Sequence, residues 1–235
     1  MNDYSNLLYS MEFPGTAVPG AFLTKSSAGD MGRNSLPPNN NRLEIMNLLG
    51  IKDIVTLHQN HTRTVFTADE IAGLTSVTGD GLITAGRETL AVTVADCLPI
   101  FLFDGVKKVY GIVHSGWKGT GIAVKALRKM GKEYGSRASD ISVIIGPSIG
   151  KCCYEVDRER AETFASEWGS DSVVRTGSHF FLDLQKANLK ALTAEGIKAI
   201  EIADACTCCG SGFYSYRRDG AKEFSLMLAL IGYFG

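Results

Sequence analysis

No stretch of the chain approaches the 18 or so consecutive apolar residues that a membrane-crossing helix needs. The nearest candidate, Leu90 to Phe103, is interrupted by Asp96. An excess of one charge is also missing. The 24 lysines and arginines nearly balance 25 acidic residues, for a formal net charge of −1, so neither a nucleic-acid footprint nor a membrane-surface face is expected. Only a local basic pocket stays open. Residues Met1 to Phe13 show no basic start followed by an apolar core, so no secretory leader is expected and the cytoplasm is the expected compartment. Internal repeats, heptads and low-complexity tracts are absent as well.

Glycine, by contrast, is abundant: 26 of the 235 residues are glycine, many of them punctuating short apolar runs, and the fold should contain many tight connections. Apolar residues make up 45% of the chain, and at this length about 70% of the unfolded surface should be buried, a core that needs no staples. Cysteines stand at 97, 152, 153, 206, 208 and 209. The even count would allow bridges, but adjacent pairs and a large core fit a reduced chain better. Free thiols or metal ligands are then the options.

The stretch Ser26 to Asn41, with Pro37, Pro38 and three consecutive asparagines, is the most loop-like and comes too early to separate two domains. Residues 1–235 are therefore expected to form one domain. Arg42 to Leu49 reads as a helix stopped by Gly50, and strands are expected at Asp53 to Leu57, Asp80 to Thr84, Leu90 to Val94, Pro99 to Phe103 and Val109 to Val113. These runs are continuously apolar rather than alternating, as in strands covered on both faces. A helical stripe (Ile122, Ala123, Ala126, Leu127, Met130) runs through Trp117 to Tyr134. Further elements are a strand at Ile141 to Ile145, a helix at Asp157 to Trp168, a helix capped by Asp183 and stopped by Gly196, and a strand at Ala199 to Ile202. Phe224 to Ile231 is open between helix and edge strand. The order gives a mixed α/β or α+β domain.

The four histidines are His58, His61, His114 and His179. His58 and His61 follow one expected strand, His114 ends another, and Cys97 ends a third. Two imidazoles and a thiolate are natural zinc ligands that leave a fourth position for water or substrate. No close pair matches a finger or HExxH spacing. Two other readings stand beside it: buried, satisfied core groups, or a Cys97–His114 nucleophile–base pair with Asp96 nearby. A carboxylate as apolar in its surroundings as Asp96 needs a partner and is expected to organise a strand end. Gly116, Gly119 and Gly121 suit either a tight turn or exposed amides that hold an anion. Cys206 to Cys209 is a CxxC pair without an identified second pair. Arg217 and Arg218 can present guanidinium groups to phosphate, or form a solvated turn.

Several of these pieces occur together in a recognisable order: Gln59-Asn60-His61, Asp80-Gly81-Leu82-Ile83-Thr84, Val94-Ala95-Asp96-Cys97-Leu98-Pro99-Ile100 and His114-Ser115-Gly116-Trp117-Lys118-Gly119. Gly146-Pro147-Ser148-Ile149-Gly150, Cys153-Tyr154-Glu155-Val156, Leu182-Asp183-Leu184, Ala187-Asn188 and Phe213-Tyr214-Ser215-Tyr216-Arg217-Arg218-Asp219-Gly220 follow. The chain thereby resembles, over nearly its whole length, the multicopper polyphenol oxidoreductase-like laccase family. That family is also described as purine nucleoside phosphorylases and as peptidoglycan editing factors. The resemblance implies one compact domain of mixed β-sheets flanked by helices, similar in fold to cysteine hydrolases. It implies a mononuclear zinc held by His61, Cys97 and His114, with His58 outside the ligand set. The implied activity is phosphorolysis of adenosine, inosine and S-methyl-5′-thioadenosine, with hydrolytic deamination of adenosine. Catalytic work falls on the same three residues, and Arg217, Arg218 and the amides near Gly119 are the expected phosphate holders. The implied partners are small purine nucleosides and phosphate, bound by a monomer or homodimer.

Two departures bear on specificity. Lys118 stands where the family often has Arg, which keeps the charge but loses bidentate geometry, and Ala221-Lys222-Glu223 replaces a Thr-Gly-Arg-like continuation. The family's oxidase name would require redox copper at a chain with no obvious multicopper ligand set; weak oxidation after Cu2+ substitution is one alternative activity. Hydrolytic editing of nucleotide-linked muramoyl precursors is another, and a non-enzymatic metal-binding protein is a third.

Overall fold

A computed structural model describes residues 5–32 and 38–234. Strands β1 (Leu8–Phe13) and β2 (Thr16–Thr24) form an N-terminal hairpin, followed by helix α1 (Asn40–Leu49) and the short strands β3 (Ile54–Val55) and β4 (Val65–Thr67). Next come β5 (Gly81–Thr84), β6 (Thr89–Val94), β7 (Leu98–Asp104) and β8 (Val109–Ser115), then α2 (Ile122–Tyr134) and β9 (Ile141–Ile145). The last part contains β10 (Glu155–Val156), α3 (Arg158–Trp168), β11 (Val173–Thr176), β12 (His179–Leu182), α4 (Leu184–Ala194), β13 (Ala199–Ile202), α5 (Tyr216–Asp219) and β14 (Met227–Gly232).

Two sheets carry the core. One has the order β1-β2-β14-β6-β3, the other β13-β9-β7-β8-β5-β4, and a small third sheet is ordered β10-β12-β11. Side chains alternate across each strand, and here both faces meet apolar neighbours. On β7, Ile100 and Leu102 pack toward Ile122, Ala126, Met130 and Leu192 of the helices, while Phe101 and Phe103 join Val92, Val94, Met227 and Ala229 between the two sheets. On β14, Leu228 and Leu230 turn outward to Ile45 and Leu49 of α1. The result is a layered arrangement, helix, sheet, sheet, helices, of the mixed α/β class expected. It accounts for the continuous apolar runs, because β5 through β8 are buried along their whole length.

The helix boundaries follow local chemistry. The side chain of Asn39 accepts from the Arg42 amide and Gly50 closes α1 in the left-handed region, while Asp157 and Asp183 cap α3 and α4 through the amides of Arg160 and Lys186. Three expectations need correction. The helix expected from Trp117 starts only at Ile122, because Gly121 adopts φ 88° and residues 117–120 form a turn instead. The C-terminal apolar segment is neither helix nor edge strand: β14 lies in the middle of its sheet, antiparallel to both β2 and β6. The stretch Ser26 to Asn41 contains a 3-10 turn at Ser26–Ala28 and the first residues of α1, while residues 33–37 of it lie outside those described.

Candidate active site

Three strand ends converge on one spot. Gln59 is pinned to β6: its side-chain oxygen accepts from the Thr93 amide at 2.7 Å and its nitrogen donates to the Thr93 carbonyl at 2.8 Å. Two residues on, His61 takes a positive φ of 54°. Asp80, fully buried at the foot of β5, fixes that turn by accepting from the amides of His61 (3.0 Å) and Thr62 (2.6 Å) and from the Thr62 hydroxyl (2.7 Å). The same carboxylate meets Nδ1 of His114, on β8, at 2.8 Å. Cys97 opens toward both rings from the β6–β7 corner. The ligand atoms of His61, Cys97 and His114 lie within 4.8 Å of one another, with His114 buried and His61 exposed.

The electrostatics follow from this geometry. Burial alone would raise the Cys97 thiol, but the neighbouring His114 and His61 rings outweigh it and hold the thiol at about 6. Burial alone would lower His114, yet the Cys97 sulfur and the Asp80 carboxylate bring it up to about 9. Asp80 is held at about 2: burial opposes ionisation, and hydrogen bonds from His114 and Thr62 overcome it. In the absence of a cation this is a thiolate–imidazolium pair braced by a carboxylate. Two imidazoles and one thiolate, with one ring oriented by a carboxylate, suit a borderline metal such as zinc and leave a coordination position open. A Cβ on Gly116 would stand 2.6 Å from the Cys97 sulfur and 3.3 Å from the His61 ring, so the cluster has space only because that residue is glycine.

Asp96 does organise a strand end. It sits at φ 81° between β6 and β7, and its carboxylate accepts from the Thr207 hydroxyl (2.6 Å), the Ser215 hydroxyl (3.0 Å) and the Arg217 amide (2.7 Å). Two remote loops are thereby tied to the corner that presents Cys97. Asn188 of α4 plays a similar part for the β8–α2 turn, where its side-chain oxygen accepts from the Ser115 hydroxyl and the Gly121 amide.

The three-residue cluster forms part of the lining of a cavity of about 730 Å³, shared with Asn60, Trp117, Lys118, Tyr154, Arg160, Tyr216, Arg217 and Phe224. Three cationic side chains thus face the same space as the candidate ligands. Arg160 lies 4.5 Å above the Trp117 ring and Arg217 lies 5.4 Å from the Tyr154 ring. The volume is that of a small-molecule site.

The other two histidines lie elsewhere, His58 outside the ligand set as the resemblance implied, and two of the expected phosphate holders do not line the cavity. His58 is exposed and outside the ligand cluster, its backbone paired with Thr78, and His179 is paired with Glu155 at 2.5 Å. Arg218 is turned away from the cavity: its guanidinium donates to the carbonyls of Thr207, Cys208 and Phe213 and to the Asp219 carboxylate. Gly119 is packed against Gly116 and the His114 carbonyl rather than lining the space. Of the three expected phosphate holders, Arg217 is the one that lines the cavity. Arg160 and the bracing role of Asp80 escaped sequence reasoning. Asp80 left a trace as the acid opening an otherwise apolar strand; Arg160 left none, since it looks like any arginine of an exposed helix.

Residues 29–233 match the model of a family described as multi-copper polyphenol oxidoreductase laccase. A purine nucleoside phosphorylase of Clostridium acetobutylicum is 35% identical over 228 residues, covering 94% of each chain. The human purine nucleoside phosphorylase LACC1 is 38% identical over 151 residues, which are 60% of this chain and 35% of that longer one. Among solved structures, YlmD from Geobacillus stearothermophilus superposes with a TM-score of 0.85 at 28% identity, covering 98% of this chain and 99% of that one. The Bacillus licheniformis protein YfiH does so with a TM-score of 0.84 at 27% identity, covering 97% of each.

Proposed function

The chain belongs to the multi-copper polyphenol oxidoreductase laccase family, and from that membership we propose that it is a zinc-dependent purine nucleoside phosphorylase. The observation that carries this reading is the meeting of the His61, Cys97 and His114 cluster with Lys118, Arg160 and Arg217 in one cavity. Curated relatives named purine nucleoside phosphorylase support it. Adenosine, inosine and S-methyl-5′-thioadenosine are the proposed substrates, and the cytoplasm, where the thiols would stay reduced, the proposed compartment.

His61, Cys97 and His114 would hold the metal, which when bound supplies Lewis acidity at an open position. Everything else falls to the chain. Arg217, anchored through its amide by Asp96, together with Lys118 and Arg160, holds phosphate by charge-assisted hydrogen bonds. Trp117, Tyr154 and Tyr216 offer flat apolar faces to a purine or ribose. In the reaction a phosphate oxygen bonds to C1′ while the C1′–N9 bond breaks, and its electron pair leaves with the purine. Orientation of the two reactants is the chief contribution of such a cavity.

The test is to incubate zinc-quantified protein with adenosine, with and without phosphate, beside a His114→Ala control, and to identify the products by mass spectrometry. Adenine and ribose 1-phosphate formed only with phosphate, and lost in the control, support phosphorolysis. Inosine in both conditions would instead reveal deamination. No purine turnover at a full zinc equivalent would sink the purine assignment, and hydrolysis of muramoyl precursors or copper-loaded polyphenol oxidation would then be tried.

A further inference from the structure

Away from that cluster, the topology collects the other five cysteines at one edge of the second sheet. Cys152 and Cys153 lie in the turn after β9, and Cys206, Cys208 and Cys209 in the turn after β13. Strands β9 and β13 are parallel neighbours, with Ile145 opposite Ile202, so both turns leave the sheet side by side. A bridge between Ser148 and Cys206 continues the pairing beyond the strands, with the Thr207 amide donating to the Ser148 carbonyl at 3.0 Å. The sequence supplied one CxxC pair; the fold supplies the partner pair that spacing alone did not reveal.

The sulfurs of Cys152, Cys153, Cys206 and Cys209 all lie within 4.8 Å of one another, and those of Cys152 and Cys209 are 3.7 Å apart. A disulfide would bring two sulfurs to about 2.05 Å. Four thiolates around a cation at about 2.3 Å sit at the corners of a tetrahedron whose edges are about 3.8 Å. The 3.7 Å between Cys152 and Cys209 matches that edge, and the 4.8 Å bound on the other pairs accommodates it. Cys208, the fifth thiol, lies outside this four-sulfur group and, like Cys153, packs against the core that holds Ile145 and Ile149.

The local backbone is shaped for thiolate ligands as well. The run Cys206-Thr207-Cys208-Cys209-Gly210 folds so that the Gly210 amide donates to the Cys206 carbonyl at 2.8 Å. A Cβ on Gly210 would stand 2.4 Å from that oxygen, which leaves glycine as the residue that fits. The Gly150 amide, from the other turn, donates to the Cys206 sulfur at 3.2 Å. An amide aimed at sulfur favours its charged, metal-binding form.

We propose that Cys152, Cys153, Cys206 and Cys209 form a second metal site that takes zinc in a closed four-thiolate shell. With all four positions filled by protein, the site has no room for substrate, so its role is structural. It staples together two turns that also hold the β6–β7 corner: the Ile149 amide donates to the Asp96 carbonyl at 2.9 Å and the Thr207 hydroxyl to the Asp96 carboxylate. The proposal is independent of what reaction the cavity performs.

The test uses the full chain, purified under reducing conditions without chelator, its metal counted by mass spectrometry and its ligand set read by cadmium-113 magnetic resonance after exchange. The wild type is expected to hold about two equivalents of zinc, and the His61→Ala/His114→Ala and Cys206→Ser/Cys209→Ser variants about one each. The cadmium-loaded histidine variant should show a strongly deshielded four-sulfur resonance. Should the cysteine variant fail to fold, that resonance decides alone. A histidine variant that binds no cadmium, or that carries a Cys152–Cys209 disulfide, overturns the proposal, as does a soluble cysteine variant with undiminished zinc.

Discussion

One oxygen of the Asp80 carboxylate, Oδ1, meets both the ring of His114 at 2.8 Å and the backbone amide of His61 at 3.0 Å. One buried acid thus orients one candidate ligand directly and sets the turn that presents the other. With Nδ1 of His114 engaged, Nε2 is the nitrogen left to face Cys97, and the tautomer needed for metal binding is fixed in advance.

Asp80→Asn should therefore weaken zinc binding by about 10–100-fold, the usual cost of losing a carboxylate behind a ligand histidine. An amide of the same shape has only one oxygen to offer the donors that Asp80 now satisfies. Competition with a chromogenic chelator would measure the change, and an unaltered affinity would remove Asp80 from this role.

The metal-free protein should hold Cys97 as a thiolate at neutral pH. The folded-state value of about 6, below the ordinary 9.0, arises because burial is outweighed by His114 and His61. His114 is correspondingly raised to about 9 from 6.5. The thiol's contribution to stability is lost as pH falls through about 6, and that of the imidazolium as pH rises through about 9, so the pair stabilises the metal-free fold between those limits. Alkylation of Cys97 in metal-free protein should rise through pH 6, and in His114→Ala the midpoint should move up toward the ordinary thiol value or beyond. A midpoint that stays put would rule out the pairing.

Gly116→Ala should damage the metal site while sparing the fold. The added methyl would sit 2.6 Å from the Cys97 sulfur, inside any ordinary contact distance, and either the thiol or the turn must shift. Zinc retained per chain should drop sharply, with a smaller effect on melting. A comparison at Gly131, where the new Cβ meets only the Ser136 carbonyl at 3.4 Å, should leave zinc content unchanged.

Adjacent arginines should give opposite phenotypes. Arg217→Ala should raise the phosphate KM about tenfold or more while leaving the melting temperature nearly intact, since its guanidinium faces the cavity. Arg218→Ala should lower stability by about 0.5–1.5 kcal/mol, because it exchanges its bonds to the part-buried or exposed carbonyls of Thr207, Cys208 and Phe213 for bonds to water. Steady-state kinetics in phosphate and thermal melts on both variants would separate the two roles.

What could be read from sequence was what depends on neighbours along the chain. The helix ending at Trp168, the cap at Asp183, the stop at Gly50 and the bounds of β9 and β13 follow from local rules and appear where expected. Motif order brought out His61, Cys97 and His114 in the same way. What could not be read depends on pairing at a distance. The segment containing β14 is an apolar run whose central place is decided by β2, some 200 residues earlier, and by β6. The different fates of Arg217 and Arg218 are set by Asp96 and by the turn at Thr207. The second cysteine cluster needs the parallel pairing of β9 with β13 before its two halves meet.

Asp96→Asn should separate positioning from metal binding. Asparagine tolerates the left-handed backbone that Asp96 adopts at φ 81°, so the corner itself need not rearrange. The carboxylate, however, accepts from the Arg217 amide, the Ser215 hydroxyl and the Thr207 hydroxyl, and a side-chain amide would turn its NH2 toward at least one of these donors. An unmet or opposed buried donor costs about 1–3 kcal/mol, and the segment that carries Arg217 is the part free to move away. Zinc content should remain that of the wild type, since the carboxylate oxygens are engaged with those donors rather than with the ligand cluster. The phosphate KM should rise toward that of Arg217→Ala, and adding Arg217→Ala to Asp96→Asn should cost little more. Full additivity of the two changes would mean that Asp96 does not act through Arg217.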